Sequence, residues 1–183
     1  TLAEARDPEG IDNILKGLEA LEDPAGADLP RAGTYLRLAK KYDDKRIVEP
    51  ALRLAGLGNP ELRVAALDVL VGYEDPRLVT LATEHLGVDA RWGYDDPALR
   101  LLVRQLGGDV VSRLTKQMRE DRDASHRRRA AQALANLHQH GHSYWSVRYK
   151  EQADQSQAAT KLLEAAYRPA LEALGDRNEA VQK

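Results

Sequence analysis

Apolar residues recur at three- and four-residue intervals along most of this chain, which is the spacing of amphipathic helices. Short turns rich in Asp, Asn, Pro and Gly separate these stripes. The stripes lie in residues 9–21, 29–42, 44–57, 60–71, 77–86, 98–106, 109–120 and 124–140. The pattern predicts an all-α chain.

The helix predicted over 60–71 is apolar on two adjacent faces. Leu62 and Ala66 belong to one face, while Val64 and Leu67 belong to the other. A helix with two apolar faces has to bury both of them. We therefore expect it to lie between its own partner helix and a further helix pair.

Asparagine or aspartate stands in front of several stripes, often followed by proline. Such a side chain caps a helix by accepting an amide hydrogen bond, and proline is tolerated at the first helical position. The predicted helix starts are Asn59-Pro60, Asp75-Pro76, Asp96-Pro97 and Asp123-Ala124. Pro50 falls inside a stripe and predicts a kink or an interruption of the helix close to the preceding residue.

The stretch that starts at Asn59 recurs about 37 residues later, a period typical of repeats built from helix pairs. Superposing Asn59 on Asp96 places Arg63 on Arg100. A shorter step carries Arg100 onto Arg128. The chain is therefore predicted to contain structural repeats.

These residues resemble a known family. The order of cap, proline, apolar residue and arginine in 59–66 is similar to the second helix of HEAT repeats, and Pro50 and Pro169 resemble the proline that kinks the first helix. The resemblance implies a right-handed α–α superhelix, an armadillo-type solenoid, with the second helices on its concave side. We expect one domain over 1–183 with a divergent first repeat in 1–43. The five expected helix pairs, the last truncated, are 9–42, 44–71, 76–107, 109–140 and 143–183.

Composition narrows the function classes. The formal charge is −2 and the pI is about 6.2, so the chain as a whole offers no electrostatic case for nucleic acid or an anionic membrane. The absence of cysteine excludes disulfides, thiolate metal ligands and cysteine nucleophiles. No apolar run is long enough to span a bilayer and no signal peptide is evident, which slightly favours the cytoplasm. No cofactor is expected, and the chain is expected to be part of a longer protein.

Arginines on the inner helices are the first candidate site. Arg63, Arg100 and Arg128 would align across successive repeats, and Arg104 lies one turn beyond Arg100. The family resemblance implies that such arginines pair with turn aspartates of neighbouring repeats. The alternative is a basic stripe that contacts an acidic partner.

A run of basic residues at a helix start is the second candidate. Cations at that end oppose the helix macrodipole, so a compensating interaction is expected. One interpretation is an anion site built from free amides and arginine forks. The other is local ion pairing with nearby carboxylates. The run comprises Arg122, His126, Arg127, Arg128 and Arg129, and the carboxylates are Glu120, Asp121 and Asp123.

Two further clusters break the repeat. The loop 87–95 carries Trp92 and Tyr94, which either anchor a partner or pack beneath their own loop. His138, His140 and His142 suit zinc or nickel by residue type, or else form part of a polar loop, since Gly141 is predicted to end the helix. We assign no metal to them.

No phosphate-binding glycine loop, nucleophile elbow or paired metal motif is present in the sequence. The sequence therefore predicts a non-catalytic scaffold that binds a protein or peptide partner on its concave face or its aromatic turn edge. A second hypothesis is nucleic-acid binding, with a relation to HEAT-like DNA glycosylases, motivated by Arg100, Arg104, the arginines at 127–129 and Trp92. The oligomeric state and the partner's identity are left open.

Overall fold

The computed structural model of this chain describes residues 8–21, 28–88 and 96–145. These residues form α-helices and no β-strand, which confirms the all-α prediction. The helices are α1 Pro8–Glu19, α2 Asp28–Ala39, α3 Val48–Gly56, α4 Pro60–Leu70, α5 Arg77–His85, α6 Pro97–Leu106, α7 Asp109–Glu120 and α8 Ala124–Trp145, and a 3₁₀ helix, Lys45–Ile47, precedes α3.

The chain forms two compact units, Thr1–Asp75 and Pro76–Lys183. In the first unit α1 packs on α2 and α3 packs on α4. The two first helices, α1 and α3, also contact each other, as do the two second helices, α2 and α4. Each predicted pair of this unit is thus a packed pair, and the two pairs are layered.

In the second unit α5 packs on α6 and α7 packs on α8, while α6 also contacts both α7 and α8. The helix pairs predicted over 76–107 and 109–140 are therefore present as packed pairs. The superhelix, its handedness and the single array of five pairs stay predictions. The helix expected over 147–167 and the repeat around Pro169 lie outside the described residues.

Two of the predicted cap residues that precede a proline, Asn59 and Asp96, cap their helices. Asn59 accepts a hydrogen bond from the amide of Leu62 at 2.9 Å, and Asp96 accepts one from Ala98 at 2.9 Å. Helix α5 differs, because Pro76 rather than Asp75 occupies its N-cap position and forms no side-chain cap hydrogen bond.

Pro50 lies in the first turn of α3, where a missing N–H leaves no intrahelical bond unmade. The interruption that it predicts is found at the junction between the 3₁₀ helix and Val48. Pro50 is therefore the third residue of α3, which begins at Val48.

Helix α4 is buried on a broad side, as its apolar pattern predicts. Leu62, Ala66 and Leu67 are buried, whereas Val64 is only half-buried. Arg63 belongs to the buried side and is 9% exposed. The second predicted face is therefore displaced toward Arg63.

Helix α8 continues through Gly141 to Trp145, so the prediction that Gly141 ends the helix is wrong. Glycine within a helix costs about 1 kcal/mol relative to alanine, and it ends a helix only when the chain turns there. The buried side chains of Ala130, Leu134 and Leu137 attach the preceding turns of α8 to the rest of the unit. The boundary placed at 140–143 therefore falls inside one helix.

Candidate functional site

An arginine stands at the fourth position of each of three helices that begin with a side-chain cap. Arg63 in α4 donates to the carbonyl of Leu57 at 3.4 Å. Arg127 in α8 donates to the carbonyl of Asp121 at 2.9 Å. In both helices the accepting residue lies two positions before the cap. The side chain therefore reaches back across the helix start and stabilises the turn before it.

The same register corrects the predicted alignment. Arg100 is the fourth residue of α6, and Arg127, rather than Arg128, is the fourth residue of α8. Burial agrees with this register, since the aligned residues Ala66 and Ala130 are both buried. Arg128 is exposed. Sequence spacing alone missed the register because it aligned arginines rather than caps.

The inner arginines are packed into the two units. The Nε atoms of Arg63, Arg100 and Arg104 are all buried. Arg100 also lies near its own helix cap, Asp96, and its charge favours the ionised carboxylate there. These three side chains therefore act in packing and turn formation, which weakens the alternative of a basic stripe open to a partner.

Asp96 joins the end of one helix to the start of the next. Its carboxylate accepts hydrogen bonds from the amides of Gly87 at 2.8 Å and Ala98 at 2.9 Å. The side chain is buried, and this burial raises the pKa of Asp96, while the amide hydrogen bonds and Arg100 act in the opposite direction. Gly87 has a φ of +66°, which only glycine adopts readily. Trp92 and Tyr94 lie between these two anchors and outside the described residues.

The start of α8 is closed by its own side chains. Asp123 accepts a hydrogen bond from the amide of Ser125 at 2.7 Å, and Asp121 accepts one from the amide of Asp123 at 2.9 Å. The hydrogen bonds with Ser125, from its side chain and its amide, lower the pKa of Asp123. His126 Nδ1 lies 3.3 Å from Asp121 Oδ2. The Asp123 carboxylate therefore occupies the start of α8, which is the place where one interpretation of the sequence put a bound anion.

The arginines of the basic run divide into two groups. Arg127 and Arg129 are engaged, since Arg127 also donates to the carbonyl of Arg122 at 3.1 Å and Arg129 donates to Ser125 Oγ at 3.1 Å. Arg122 and Arg128 are exposed, and neither guanidinium forms a hydrogen bond or ion pair within the described part of the chain. The expected ion pairs with carboxylates are thus largely replaced by bonds to carbonyl and hydroxyl oxygens.

A groove of about 410 Å³ runs between α5 and α7 in the second unit. Arg113 of α7 reaches across to α5, where its Nη2 donates to Thr83 Oγ1 at 3.3 Å. The lining residues are Thr83, Arg113, Lys116, Gln117, Glu120 and Asp121. Sequence reasoning missed this groove because the polar face of α7 has the pattern of a solvated surface.

The histidine cluster does not form the predicted loop. His138, His140 and His142 all belong to α8. His138 is exposed. No group of three or more histidine or carboxylate side chains within 8–21, 28–88 and 96–145 is arranged to hold a metal ion. In the same ranges no helix combines the length and the apolar character needed to cross a membrane.

Comparison of the chain with protein-family models, with curated proteins and with solved structures finds no match.

Proposed function

We propose that this chain is a non-catalytic scaffold that binds an acidic protein or peptide on the second unit, at the turn between α7 and α8. The observation that carries the proposal is the division among the arginines. Arg63, Arg100 and Arg127 are engaged in packing or in turns, whereas Arg122 and Arg128 are exposed without a polar partner in the described residues. Exposed arginines on a rigid helix turn suit recognition of carboxylates.

A HEAT-like architecture is part of this proposal. The layering of first helix on first helix and second on second in the first unit supports it, as does the contact of α6 with α8 in the second. The recurrence of a cap followed by arginine at the fourth helical position supports it further. Repeat scaffolds of this type present extended binding surfaces.

The test uses a fluorescent oligoglutamate peptide and fluorescence anisotropy at low salt. We expect the double variant Arg122→Glu/Arg128→Glu to bind about tenfold more weakly, because exposed charge pairs contribute about 0.2–1 kcal/mol each and reversal adds repulsion. The matched control is Lys41→Glu/Lys45→Glu, which makes the same charge change at exposed positions of the first unit. Equal binding by both double variants, or no binding by the wild-type chain, would refute the proposal.

Nucleic-acid binding is the second candidate, and charge distribution is the observation that favours it. Residues 100–129 contain nine Lys or Arg residues against four Asp or Glu, although the whole chain is slightly acidic. A gel shift with duplex DNA over a range of salt concentrations separates the two candidates, because phosphate contacts make log affinity fall linearly with log salt. If DNA binds in this way and oligoglutamate does not, the second candidate replaces the first.

A further inference from the structure

The groove between α5 and α7 has opposite charges at its two ends. Arg113 and Lys116 stand at one end, while Glu120 and Asp121 stand at the other. These positions lie along one face of α7, because residues three, four, seven and eight apart share a helix face. At a rise of 1.5 Å per residue, about 12 Å separate the levels of Arg113 and Asp121.

Gln117 lies between the charged ends and lines the groove. Its carboxamide oxygen is buried and accepts no hydrogen bond within the described residues. An oxygen with almost no accessible surface cannot be reached by a molecule in the groove, so Gln117 contributes an uncharged side chain between the two charged ends.

The charged residues of the groove can change partners at little cost. Lys116 Nζ and Glu120 Oε2 are 4.0 Å apart, and the two side chains are 74% and 65% exposed, so this pair is weak. Arg113 is also exposed and uses one of its five donors on Thr83. A ligand carboxylate can therefore approach Arg113 and Lys116, and a ligand cation can approach Glu120, without unfolding of α7.

We infer that this groove binds an extended peptide segment that carries a carboxylate at one end and a lysine or arginine four residues away. The carboxylate lies against Arg113 and Lys116, and the cation lies against Glu120 and Asp121. Four residues of extended chain span about 13 Å, which matches the length of the charged face. The inference goes beyond the proposed function, because it concerns a second surface of the same unit and a ligand that carries one charge of each sign.

The same charges argue against other ligands. A phosphodiester strand or a wholly acidic peptide would place negative charge against Glu120 and Asp121, and a wholly basic peptide would meet Arg113 and Lys116. Like charges brought together in this way select against such partners. A segment with one charge of each sign satisfies both ends of the groove.

The first experiment follows amide chemical shifts of the full chain during titration with the capped peptide Glu-Gly-Gly-Gly-Lys. We expect shifts at Thr83 and Gln117 with a Kd near or below about 1 mM. Replacement of either charged end by glutamine should weaken binding several-fold, and so should shortening the spacer to one glycine. Absence of shifts at millimolar peptide, or equal binding by all four peptides, would overturn the inference.

Charge exchange supplies the matched control. The variant Arg113→Glu should lose binding to Glu-Gly-Gly-Gly-Lys and gain binding to Lys-Gly-Gly-Gly-Lys, while Glu120→Lys should gain binding to Glu-Gly-Gly-Gly-Glu. Both positions are exposed, so circular dichroism should show an unchanged fold. Failure of the exchanged pairs to bind would show that these residues do not receive the ligand.

The two proposals fail separately. The variant Arg122→Glu/Arg128→Glu should keep its affinity for Glu-Gly-Gly-Gly-Lys within about twofold, because these two residues do not line the groove. If this variant loses oligoglutamate binding while groove variants bind the short peptide normally, the groove assignment falls and the proposed function stands. If the wild-type chain binds neither probe, both fall.

Discussion

The two units of this chain use similar charged residues in different ways. In the first unit carboxylates pair with cations: Arg46 binds Asp12 at 2.9 Å and Asp44 at 2.6 Å, and Lys40 binds Asp68. In the second unit two carboxylates serve as helix caps. Asp96 and Asp123 accept hydrogen bonds from backbone amides.

Positive charge remains exposed at the turn between α7 and α8 of the second unit. There Arg127 donates to two carbonyl oxygens. Arg122 and Arg128 are left on the surface. In the first unit Arg46 is held by two carboxylates, and its pKa is accordingly raised. Net charge is therefore a poor guide to where positive charge is exposed on the surface.

The largest expected difference between the units concerns their helix caps. Replacing Asp96 by alanine removes hydrogen bonds to Gly87 and Ala98 together, and we expect a loss of about 2–3 kcal/mol in the free energy of unfolding. Replacing Asn59 by alanine removes the single bond to Leu62 and should lose about 1 kcal/mol. Urea denaturation of the two variants measures both values. Equal losses would show that the bond to Gly87 adds nothing.

The next largest difference is between two glycine-to-alanine substitutions, which we expect to change the stability of the chain in opposite directions. At Gly87 the positive φ is unfavourable for alanine, and its Cβ would lie 3.2 Å from Arg129 Cγ, so Gly87→Ala should destabilise the chain by about 1–2 kcal/mol. At Gly56 a Cβ meets no atom within 4 Å at the end of α3, so Gly56→Ala should stabilise it by about 0.5 kcal/mol. Thermal unfolding followed by circular dichroism gives the two signs. A stable Gly87→Ala variant would contradict the backbone geometry at that turn.

The smallest effect is a difference in pH dependence between two aspartates. Burial raises the pKa of Asp96, so the folded chain binds this proton more tightly than the unfolded chain. The stability of the wild type relative to Asp96→Asn should therefore rise as pH falls from neutrality toward the ordinary aspartate range. Hydrogen bonds from Arg46 lower the pKa of Asp44, so the stability of the wild type relative to Asp44→Asn should fall as pH drops below that range.

Urea midpoints at several pH values measure both trends. The wild-type chain and the two asparagine variants are compared at each pH, so other titrating groups cancel. If stability changes with pH in the same direction for both variants, burial does not dominate the pKa of Asp96. The difference between the two units would then lie in their hydrogen bonds alone.

Local features of the fold were predictable from sequence because short-range chemistry determines them. Asn59 and Asp96 cap the helices that follow, as their residue types and the next proline indicate. Gly141 misled the prediction because glycine ends a helix only where the backbone turns, and α8 continues there. At the start of α5, Pro76 rather than Asp75 occupies the N-cap position.

Features that depend on distant contacts were not predictable. The bond from Gly87 to Asp96 closes a segment whose ends look unrelated in sequence. The groove requires α5 beside α7, and only that placement distinguishes Arg113 and Gln117 from an ordinary polar helix face. The prediction that Arg128 aligns with Arg63 and Arg100 was wrong. Aligning the helices by their caps instead of their arginines places Arg127, one residue earlier, at the equivalent position.

The hydrogen bonds accepted by Asp96 also allow the segment between α5 and α6 to vary in length. Because its carboxylate joins Gly87 to the first turn of α6, the ends of the intervening segment are fixed by bonds that do not involve the residues between them. The entropy of closing a loop grows only with the logarithm of its length, so lengthening this segment should change the free energy of folding little. The site is therefore suited to accept an inserted sequence while α5 and α6 stay paired.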